Sequence, residues 1–126
     1  MMTDEELMAA AEKAAANAYA PYSGFHVGAA ILCRSGAVYT GANMENASYP
    51  AGICAESSAL SAAVSAGERE FEKIAVWAKE TAWPCGLCRQ RLWEFGVAKV
   101  VLQKDGRTVS FALSELLPHG FRLNFR

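Results

Sequence analysis

The chain has 126 residues, of which 52% are hydrophobic and 20% charged, with a formal net charge of −1. That length suits a single domain over residues 1–126 that buries about two-thirds of the surface of its unfolded chain. No two Lys or Arg residues are adjacent, which argues against nucleic-acid and anionic-membrane binders, and no apolar run approaches the ~20 residues of a membrane span. The N-terminus is acidic where a signal peptide would be basic, so we expect a soluble cytoplasmic protein whose partner is a small molecule.

The N-terminal segment predicts an amphipathic helix. Thr3 and Glu6 form a capping-box pattern, and the Ala-rich run that follows is expected to stay helical until about Tyr19, because Pro21 disfavours the helical conformation in the residue before it. The apolar face would consist of Leu7, Met8, Ala11, Ala14, Ala15 and Ala18. This face predicts packing against a sheet.

Two apolar runs then predict a β-hairpin. Residues 26–33 are almost continuously apolar, and residues 37–43 follow across an Arg-Ser-Gly turn, so the first strand should lie inside the sheet. Gly28 and Gly41, one in each strand, indicate positions where another backbone approaches closely.

The second half of the chain alternates helices and strands after a polar loop at residues 43–52. The predicted elements are a helix at 54–66, a strand at 71–78, a helix at 85–95, a strand at 97–103, a short strand at 108–111 and one helical turn at 114–118. This order predicts an α/β protein, a three-layer α/β/α sandwich with a mixed five-stranded sheet. Right-handed crossovers would bring the N-termini of the second and third helices to the same sheet edge.

Three cysteines fall at the predicted starts of those two helices. Cys85 and Cys88 form a C-x-x-C pair with two sulfurs on one turn, and Cys54 begins the other helix 31 positions earlier. Three converging thiolates predict one zinc ion per chain with a fourth position left open. A redox dithiol, or a structural four-cysteine site that recruits Cys33, are the alternatives; Cys33 lies at the far end of its strand and is more simply a buried apolar residue.

Glu56 lies two positions after Cys54, in the first turn of the predicted helix. A lone Glu there is usually a solvated residue favoured by the helix dipole. Beside a metal ligand it becomes a candidate acid–base group. Metal-assisted hydrolysis needs a metal to activate water near neutral pH, and a carboxylate that moves protons between that water and the reacting group. The three cysteines and Glu56 supply this minimum set.

Six segments of the chain resemble, in order, the cytidine deaminases of the small, homotetrameric type. They are Tyr19-Ala20-Pro21-Tyr22-Ser23, Phe25 with Val27-Gly28-Ala29-Ala30, Asn43 to Tyr49, Cys54-Ala55-Glu56, Pro84 to Gln90, and Leu113 to Pro118. The resemblance implies zinc-dependent hydrolysis of cytidine and 2′-deoxycytidine to uridine and 2′-deoxyuridine with release of ammonia, in pyrimidine salvage. It also implies a homotetramer with shared active sites.

The resemblance also assigns roles to substrate-binding residues. It implies that Asn43 and Glu45 hold the ribose hydroxyls, that Phe25 flanks the pyrimidine, and that Phe121 covers the base in a neighbouring subunit. Ala55, inside the C-A-E motif, belongs to the same implied set. Without the resemblance, Asn43 and Glu45 would be ordinary loop residues with turn or capping roles, and the two phenylalanines would be assigned to the core.

Ser57 departs from the family, whose members often carry Arg directly after C-A-E, where it offsets the charge of three thiolates. Because Ser57 lies three positions after Cys54, its hydroxyl is expected to donate to that sulfur, with the two helix N-termini and Arg89 supplying the missing charge. The alternative is that Ser57 is only a small residue in a crowded helix contact. Trp83 and the loop at residues 50–52 also look unusual and are expected to line the pocket.

These departures leave the substrate open between cytidine and a modified cytosine nucleoside or nucleoside antibiotic such as blasticidin S. A zinc-stabilised interaction domain is the non-enzymatic alternative. Editing of a polynucleotide is disfavoured because the sequence predicts no basic groove.

Overall fold

Five strands form one mixed sheet in the computed structural model, which describes residues 1–123. The strands are β1 (Val27–Cys33), β2 (Val38–Ala42), β3 (Phe71–Ala78), β4 (Lys99–Lys104) and β5 (Arg107–Ala112). Their spatial order is β2-β1-β3-β4-β5, in which β3 and β4 are parallel and the other neighbours are antiparallel. The predicted mixed five-stranded sheet is therefore confirmed, and β1, buried along its whole length, lies inside it.

Helices cover both faces of the sheet. They are α1 (Asp4–Ala15), α2 (Ala55–Ser65), α3 (Gly86–Glu94) and the short α4 (Leu113–Leu116), with a 3₁₀ turn at Tyr49–Ala51. Alternate residues of β1 face opposite layers, as the pleat of a strand requires. Ala29 and Ile31 join the core under α2 and α3, whereas Ala30 and Leu32 pack against α1. The result is the three-layer α/β/α arrangement that the sequence predicts.

The first helix ends earlier than predicted, at Ala15 rather than near Tyr19. Tyr19 instead pairs with the segment that follows β2: its N–H donates to the Asn43 carbonyl at 2.9 Å, and its own carbonyl accepts from the Glu45 N–H at 2.8 Å. This pairing requires extended backbone, so it competes with another helical turn. The predicted capping box of Thr3 and Glu6 is confirmed.

Two glycines let helices lie directly on the sheet. A Cβ added at Gly28 would stand 1.9 Å from the Ala11 carbonyl oxygen of α1, and one added at Gly41 would stand 2.4 Å from the Ala59 nitrogen of α2. Side chains essentially never approach backbone that closely, so only glycine fits at either position. The predicted close approach is confirmed, and it fixes the distance of α2 from β2.

The topology brings the starts of α2 and α3 together. Strands β2 and β3 both run antiparallel to β1, so their carboxyl ends lie at the same sheet edge. Each of these strands leads, through a loop, into one of the two helices. Both helix N-termini therefore emerge at that edge, where strand-to-helix connections of α/β proteins commonly form sites.

Asp4, the first residue of α1, fastens that helix to the sheet. Its carboxylate pairs with Lys73 of β3 at 2.6 Å and with Lys99 of β4 at 3.0 Å. Burial alone would raise the pKa of Asp4, but the two ammonium groups outweigh it and lower that pKa.

Within residues 1–123, α1 and the other helices are all too short or too polar to cross a membrane.

Candidate metal centre and catalytic cleft

Three sulfurs meet where α2 and α3 begin. Cys54 is the N-cap of α2, Cys85 is the N-cap of α3, and Cys88 lies in the first turn of α3. Their Sγ atoms all lie within 4.8 Å of one another, and those of Cys54 and Cys85 are 3.7 Å apart. Soft thiolate donors suit zinc, and three of them leave one coordination position open. The donor set brought together here therefore fits one zinc ion.

The local backbone and hydrogen bonds favour thiolate character at this point. The Cys85 sulfur accepts a hydrogen bond from the Cys88 N–H at 3.5 Å, and both helix N-termini present positive dipole ends. A hydrogen bond with Cys88 lowers the pKa of Cys54, and the same bond together with burial raises the pKa of Cys88. A metal binds cysteine as the thiolate, so its binding would displace the remaining thiol protons.

Cys33 stands apart from this group. It is fully buried at the end of β1, and the metal-ligand group found among residues 1–123 does not include it. Burial raises the pKa of the Cys33 thiol to about 11, which keeps it protonated and unreactive. All four cysteines carry free thiols. The arrangement favours the three-thiolate interpretation over the structural four-cysteine alternative.

Glu56 is a buried carboxyl beside the sulfurs. Only 5% of the residue is exposed, and it lines the same cleft as Cys54 and Cys85. Burial raises the pKa of this carboxyl, because desolvation disfavours its charged form. A carboxyl with a raised pKa can both accept and return a proton near neutral pH, which is the property that general acid–base catalysis requires.

The cleft that opens onto these groups has a volume of about 330 Å³. Its lining residues are Phe25, Val27, Asn43, Cys54, Ala55, Glu56, Thr81, Ala82, Trp83 and Cys85. Phe25 is 39% exposed and Trp83 is 45% exposed, so neither is a core residue. Trp83 is held by the Phe111 ring, 5.0 Å away between centroids. Apolar walls around a few polar groups are typical of a small-molecule site.

A second hollow of about 530 Å³ adjoins the cleft, and the two share Asn43 and Cys54. Glu45 lies in this second hollow, together with Gly52 of the unusual loop. The Glu45 carboxylate accepts hydrogen bonds from the N–H groups of Tyr22 and Ser23, at 2.9 and 3.1 Å, and from the Ser23 hydroxyl. The bonds to Ser23 lower the pKa of Glu45, so it is charged at neutral pH.

Asn43 has a comparable structural role. Its Nδ2 donates to the Phe25 carbonyl, and its Oδ1 accepts from the Val27 N–H, both at 2.9 Å. Asn43 and Glu45 together therefore hold residues 22–27 beside the cleft. The family resemblance implies sugar contacts for both side chains. It does not predict this clamp, which joins residues up to 23 positions apart.

Phe121 lies outside the cleft of its own chain. It is 65% exposed, and its carbonyl accepts a hydrogen bond from Gln90 Nε2 of α3 at 3.2 Å. This contact holds the segment after α4 against the helix that carries Cys85 and Cys88. The ring of Phe121 is thus presented to the surroundings of the chain, whereas composition alone would assign it to the core.

The hydrogen-bond partners of Ser57 and of the nearby arginines differ from those expected from the sequence. The Ser57 hydroxyl lies 3.2 Å from the sulfur of Cys88, not of Cys54. Arg89 is occupied by the carbonyls of Pro84 and Leu116, at 2.7 Å each, and Arg91 is the arginine that reaches Ser57, at 2.8 Å. Arg91 lies three positions after Cys88, on the same face of α3, and that spacing was the sequence signal that could have identified it.

Comparison with known proteins gives consistent matches. Residues 1–104 match the family described as the cytidine and deoxycytidylate deaminase zinc-binding region. A cytidine deaminase of Halalkalibacterium halodurans is 46% identical over 125 residues, covering 95% of each chain, and one of Sporosarcina psychrophila is 42% identical, covering 95% of this chain and 92% of the relative. The crystal structure of cytidine deaminase from Burkholderia pseudomallei superimposes with a TM-score of 0.89 at 44% identity, covering 95% of this chain and all of that one.

Proposed function

The chain belongs to the cytidine and deoxycytidylate deaminase family of zinc-dependent hydrolytic enzymes, and we propose that its substrates are cytidine and 2′-deoxycytidine. The oxygen of water forms a bond to C4 of the pyrimidine, the bond from C4 to the exocyclic nitrogen breaks, and uridine or 2′-deoxyuridine leaves with ammonia. The observation that carries this proposal is one cleft lined by Cys54, Cys85 and the buried Glu56, with the third sulfur, Cys88, adjoining.

Cys54, Cys85 and Cys88 would hold the zinc ion. When bound, zinc would supply a Lewis acid that makes water nucleophilic near neutral pH. The protein fixes the three sulfurs through two helix starts whose separation is set by the sheet. This support keeps the donor geometry independent of the side chains of the surrounding loops.

Glu56 would carry the protons. It takes one proton from the attacking water and delivers it to the ring nitrogen next to C4. It then takes the proton of the new C4 hydroxyl and delivers it to the departing amine, so the carboxyl returns to its starting state. Its burial excludes bulk water and raises its pKa. Both effects favour repeated proton transfer within the cleft rather than loss of the proton to solvent.

Phe25, Asn43, Glu45 and Ala55 would bind the nucleoside. Phe25 and Ala55 line the same cleft as Glu56, which supports contacts of these two residues with the base. Asn43 belongs to both hollows and Glu45 to the outer one. A nucleoside whose base enters the cleft would therefore place its ribose beside these two side chains.

Trp83 supports an alternative substrate of the same mechanism. Its ring stands at the cleft wall, braced by Phe111 and by Lys104, whose Nζ lies 5.9 Å from the ring centroid. A braced aromatic wall can select a modified cytosine nucleoside as well as cytidine. Ammonia release measured with cytosine, cytidine, 2′-deoxycytidine, dCMP and blasticidin S tests the assignment: cytidine and 2′-deoxycytidine should react fastest, and preference for blasticidin S would support the alternative.

We expect Glu45→Gln to impair nucleosides selectively. Gln keeps one oxygen for the Tyr22 and Ser23 N–H groups but loses the charge that strengthens a hydrogen bond to a ribose hydroxyl, worth about 1.5–3 kcal/mol. That corresponds to roughly a ten- to hundredfold fall in kcat/KM for cytidine. The comparison substrate is 3′-deoxycytidine, which should respond much less.

Ser23→Ala is the matched control for this prediction. It removes the hydrogen bond from the Ser23 hydroxyl to Glu45 and leaves the Glu45 side chain itself unchanged. It therefore reports the effect of loosening residues 22–27. If 3′-deoxycytidine loses as much as cytidine in Glu45→Gln, the assignment of Glu45 to the sugar is wrong.

A homotetramer with shared active sites is the assembly we propose. Phe121 is exposed, does not line its own cleft and would cover the base in a neighbouring subunit. Several other large apolar side chains are exposed around the outer hollow, namely Tyr22, Met44, Tyr49 and Ile53. Contiguous exposed apolar surface of this kind commonly marks a protein interface.

Activity should therefore depend on assembly. Phe121→Ala is expected to raise the KM for cytidine about tenfold or more, because an aromatic contact across an interface is lost. Leu123→Ala, an exposed residue of the same segment, is the control and should have little effect. Light scattering coupled to size exclusion gives the mass of the active species, and a fully active monomer would contradict the shared site.

We also propose that residues 1–126 act as one domain in the cytoplasm, in pyrimidine salvage. All five strands belong to one sheet, from β2 at one edge to β5 at the other, and the family match covers the zinc ligands and Glu56. Free thiols at all four cysteines suit a reducing compartment. Salvage is the reaction class that consumes free cytosine nucleosides and returns uracil nucleosides.

A further inference from the structure

A chain of two hydrogen bonds links Arg91 to the sulfur of Cys88. Arg91 Nη1 lies 2.8 Å from Ser57 Oγ, and Ser57 Oγ lies 3.2 Å from Cys88 Sγ. The link crosses from α3 to α2 and returns to α3. Ser57 and Arg91 line a groove on the outer side of the two helices and do not line the cleft with Glu56. They therefore approach Cys88 from outside the cleft that holds Glu56.

The direction of both bonds follows from the donor inventory. A guanidinium only donates, so the Ser57 oxygen accepts from Arg91. A thiolate has no proton, so as a metal ligand Cys88 can only accept, and Ser57 must donate its single hydroxyl proton to it. A hydroxyl that accepts from a cation is a stronger donor, because successive hydrogen bonds polarise one another.

The charge of Arg91 is not used elsewhere in the described chain. The ion pairs among residues 1–123 join Arg34 to Glu72 and Asp4 to Lys73 and Lys99, and none involves Arg91. Arg89, the other arginine near the site, is held by two carbonyl oxygens. Arg91 is thus the cation with a hydrogen-bonded connection to the three sulfurs.

We propose that Arg91 and Ser57 form a relay that positions the Cys88 thiolate and moderates the negative charge of the three-sulfur group. The relay supplies from α3 the positive charge that an arginine at position 57 would supply directly. The inference rests on the proposed zinc site. Arg91 and Ser57 act through Cys88, so they are positioning residues and contact neither substrate nor water.

The test uses Ser57→Ala, Arg91→Met, the double variant and the conservative Arg91→Lys. Arg34→Met is the control, since Arg34 lies at the opposite end of the sheet in an exposed ion pair. Each protein is prepared with zinc and, separately, with Co²⁺, at one fixed pH and with its assembly state checked. The readouts are the rate of zinc transfer to a chromogenic chelator, the energy of the thiolate-to-cobalt charge-transfer band, and kcat and KM for cytidine.

Ser57→Ala and Arg91→Met should each speed zinc transfer about tenfold or more, the usual scale for losing an outer partner of a metal ligand. Each should also move the charge-transfer band to lower energy, and Ser57→Ala should move it further, because Ser57→Ala removes the hydrogen bond to the thiolate whereas Arg91→Met only weakens it. KM should stay near the wild-type value. The double variant should match Ser57→Ala, since Arg91 acts on the sulfur only through the Ser57 hydroxyl. Arg91→Lys should retain most of the wild-type band.

Two results would overturn the relay. An unshifted cobalt band in Arg91→Met and Ser57→Ala would show that the sulfur does not sense these residues, and additive effects in the double variant would show that they act independently. A wild-type protein that gives no thiolate-to-cobalt band would instead contradict the zinc site itself. An unshifted band in the variants therefore contradicts the relay alone, whereas an absent band in the wild type contradicts the proposed zinc site.

Discussion

Glu56→Gln should leave the zinc content and the fold intact while turnover falls at least ~10²-fold, the usual contribution of a general acid–base group. Gln has the shape of Glu and can still form hydrogen bonds, but it cannot take a proton from water and return it to the leaving amine. The side chain is also buried beside the three sulfurs, and a neutral amide tolerates burial better than a carboxylate. Stability should thus be unchanged or slightly higher.

The measurement is kcat for cytidine, with zinc by elemental analysis and the unfolding midpoint for each variant. Glu12→Gln is the control, because Glu12 is an exposed residue of α1 on the other face of the sheet. Near-normal turnover in a zinc-loaded Glu56→Gln would remove this residue from the mechanism.

Cys85→Ser is expected to lose both zinc and activity, with kcat/KM down about 10³-fold or more, since a Lewis acid contributes several kcal/mol to such a reaction. Serine is a preferred N-cap residue, so the start of α3 should still form where Cys85 now caps it. The defect should therefore be confined to the metal. Because zinc also links α2 to α3, loss of the metal should lower the unfolding midpoint.

Cys33→Ala is the control for the metal prediction. It removes the remaining thiol without burying a hydroxyl in the core, and it should retain one zinc per chain and normal turnover. If Cys33→Ala loses its zinc while Cys85→Ser keeps it, the metal would belong to a structural site that uses Cys33 and does not need Cys85.

The sequence predicted best those elements whose signals are local. Strand β3 has the predicted bounds, because an apolar run is enclosed by polar residues on both sides. The two helices of the site were predicted to begin at Cys54 and Cys85. These cysteines are their N-caps, so each helix begins one residue later. Convergence of the three sulfurs then followed from topology, because strands on either side of one antiparallel neighbour must be parallel to each other.

The parts that the sequence did not predict depend on contacts between distant residues. The end of α1 is set by pairing of Tyr19 with Asn43 and Glu45, which no local pattern reveals. The choice of Arg91 over Arg89 as the partner of Ser57 depends on where α4 lies, because α4 supplies the carbonyl that occupies Arg89. Such competition among nearby groups is decided only once the helices are packed.

The close contact at Gly41 has a practical meaning for directed evolution of this enzyme. Helix α2 rests on β2 through backbone atoms, with 2.4 Å between a hypothetical Gly41 Cβ and the Ala59 nitrogen. Cys54 and Glu56 therefore keep their places whatever side chains form the cleft wall. Phe25 and Trp83 come from loops outside that contact. A library that randomises these two positions and holds Gly41 invariant can explore new nucleobases without disturbing the reacting groups.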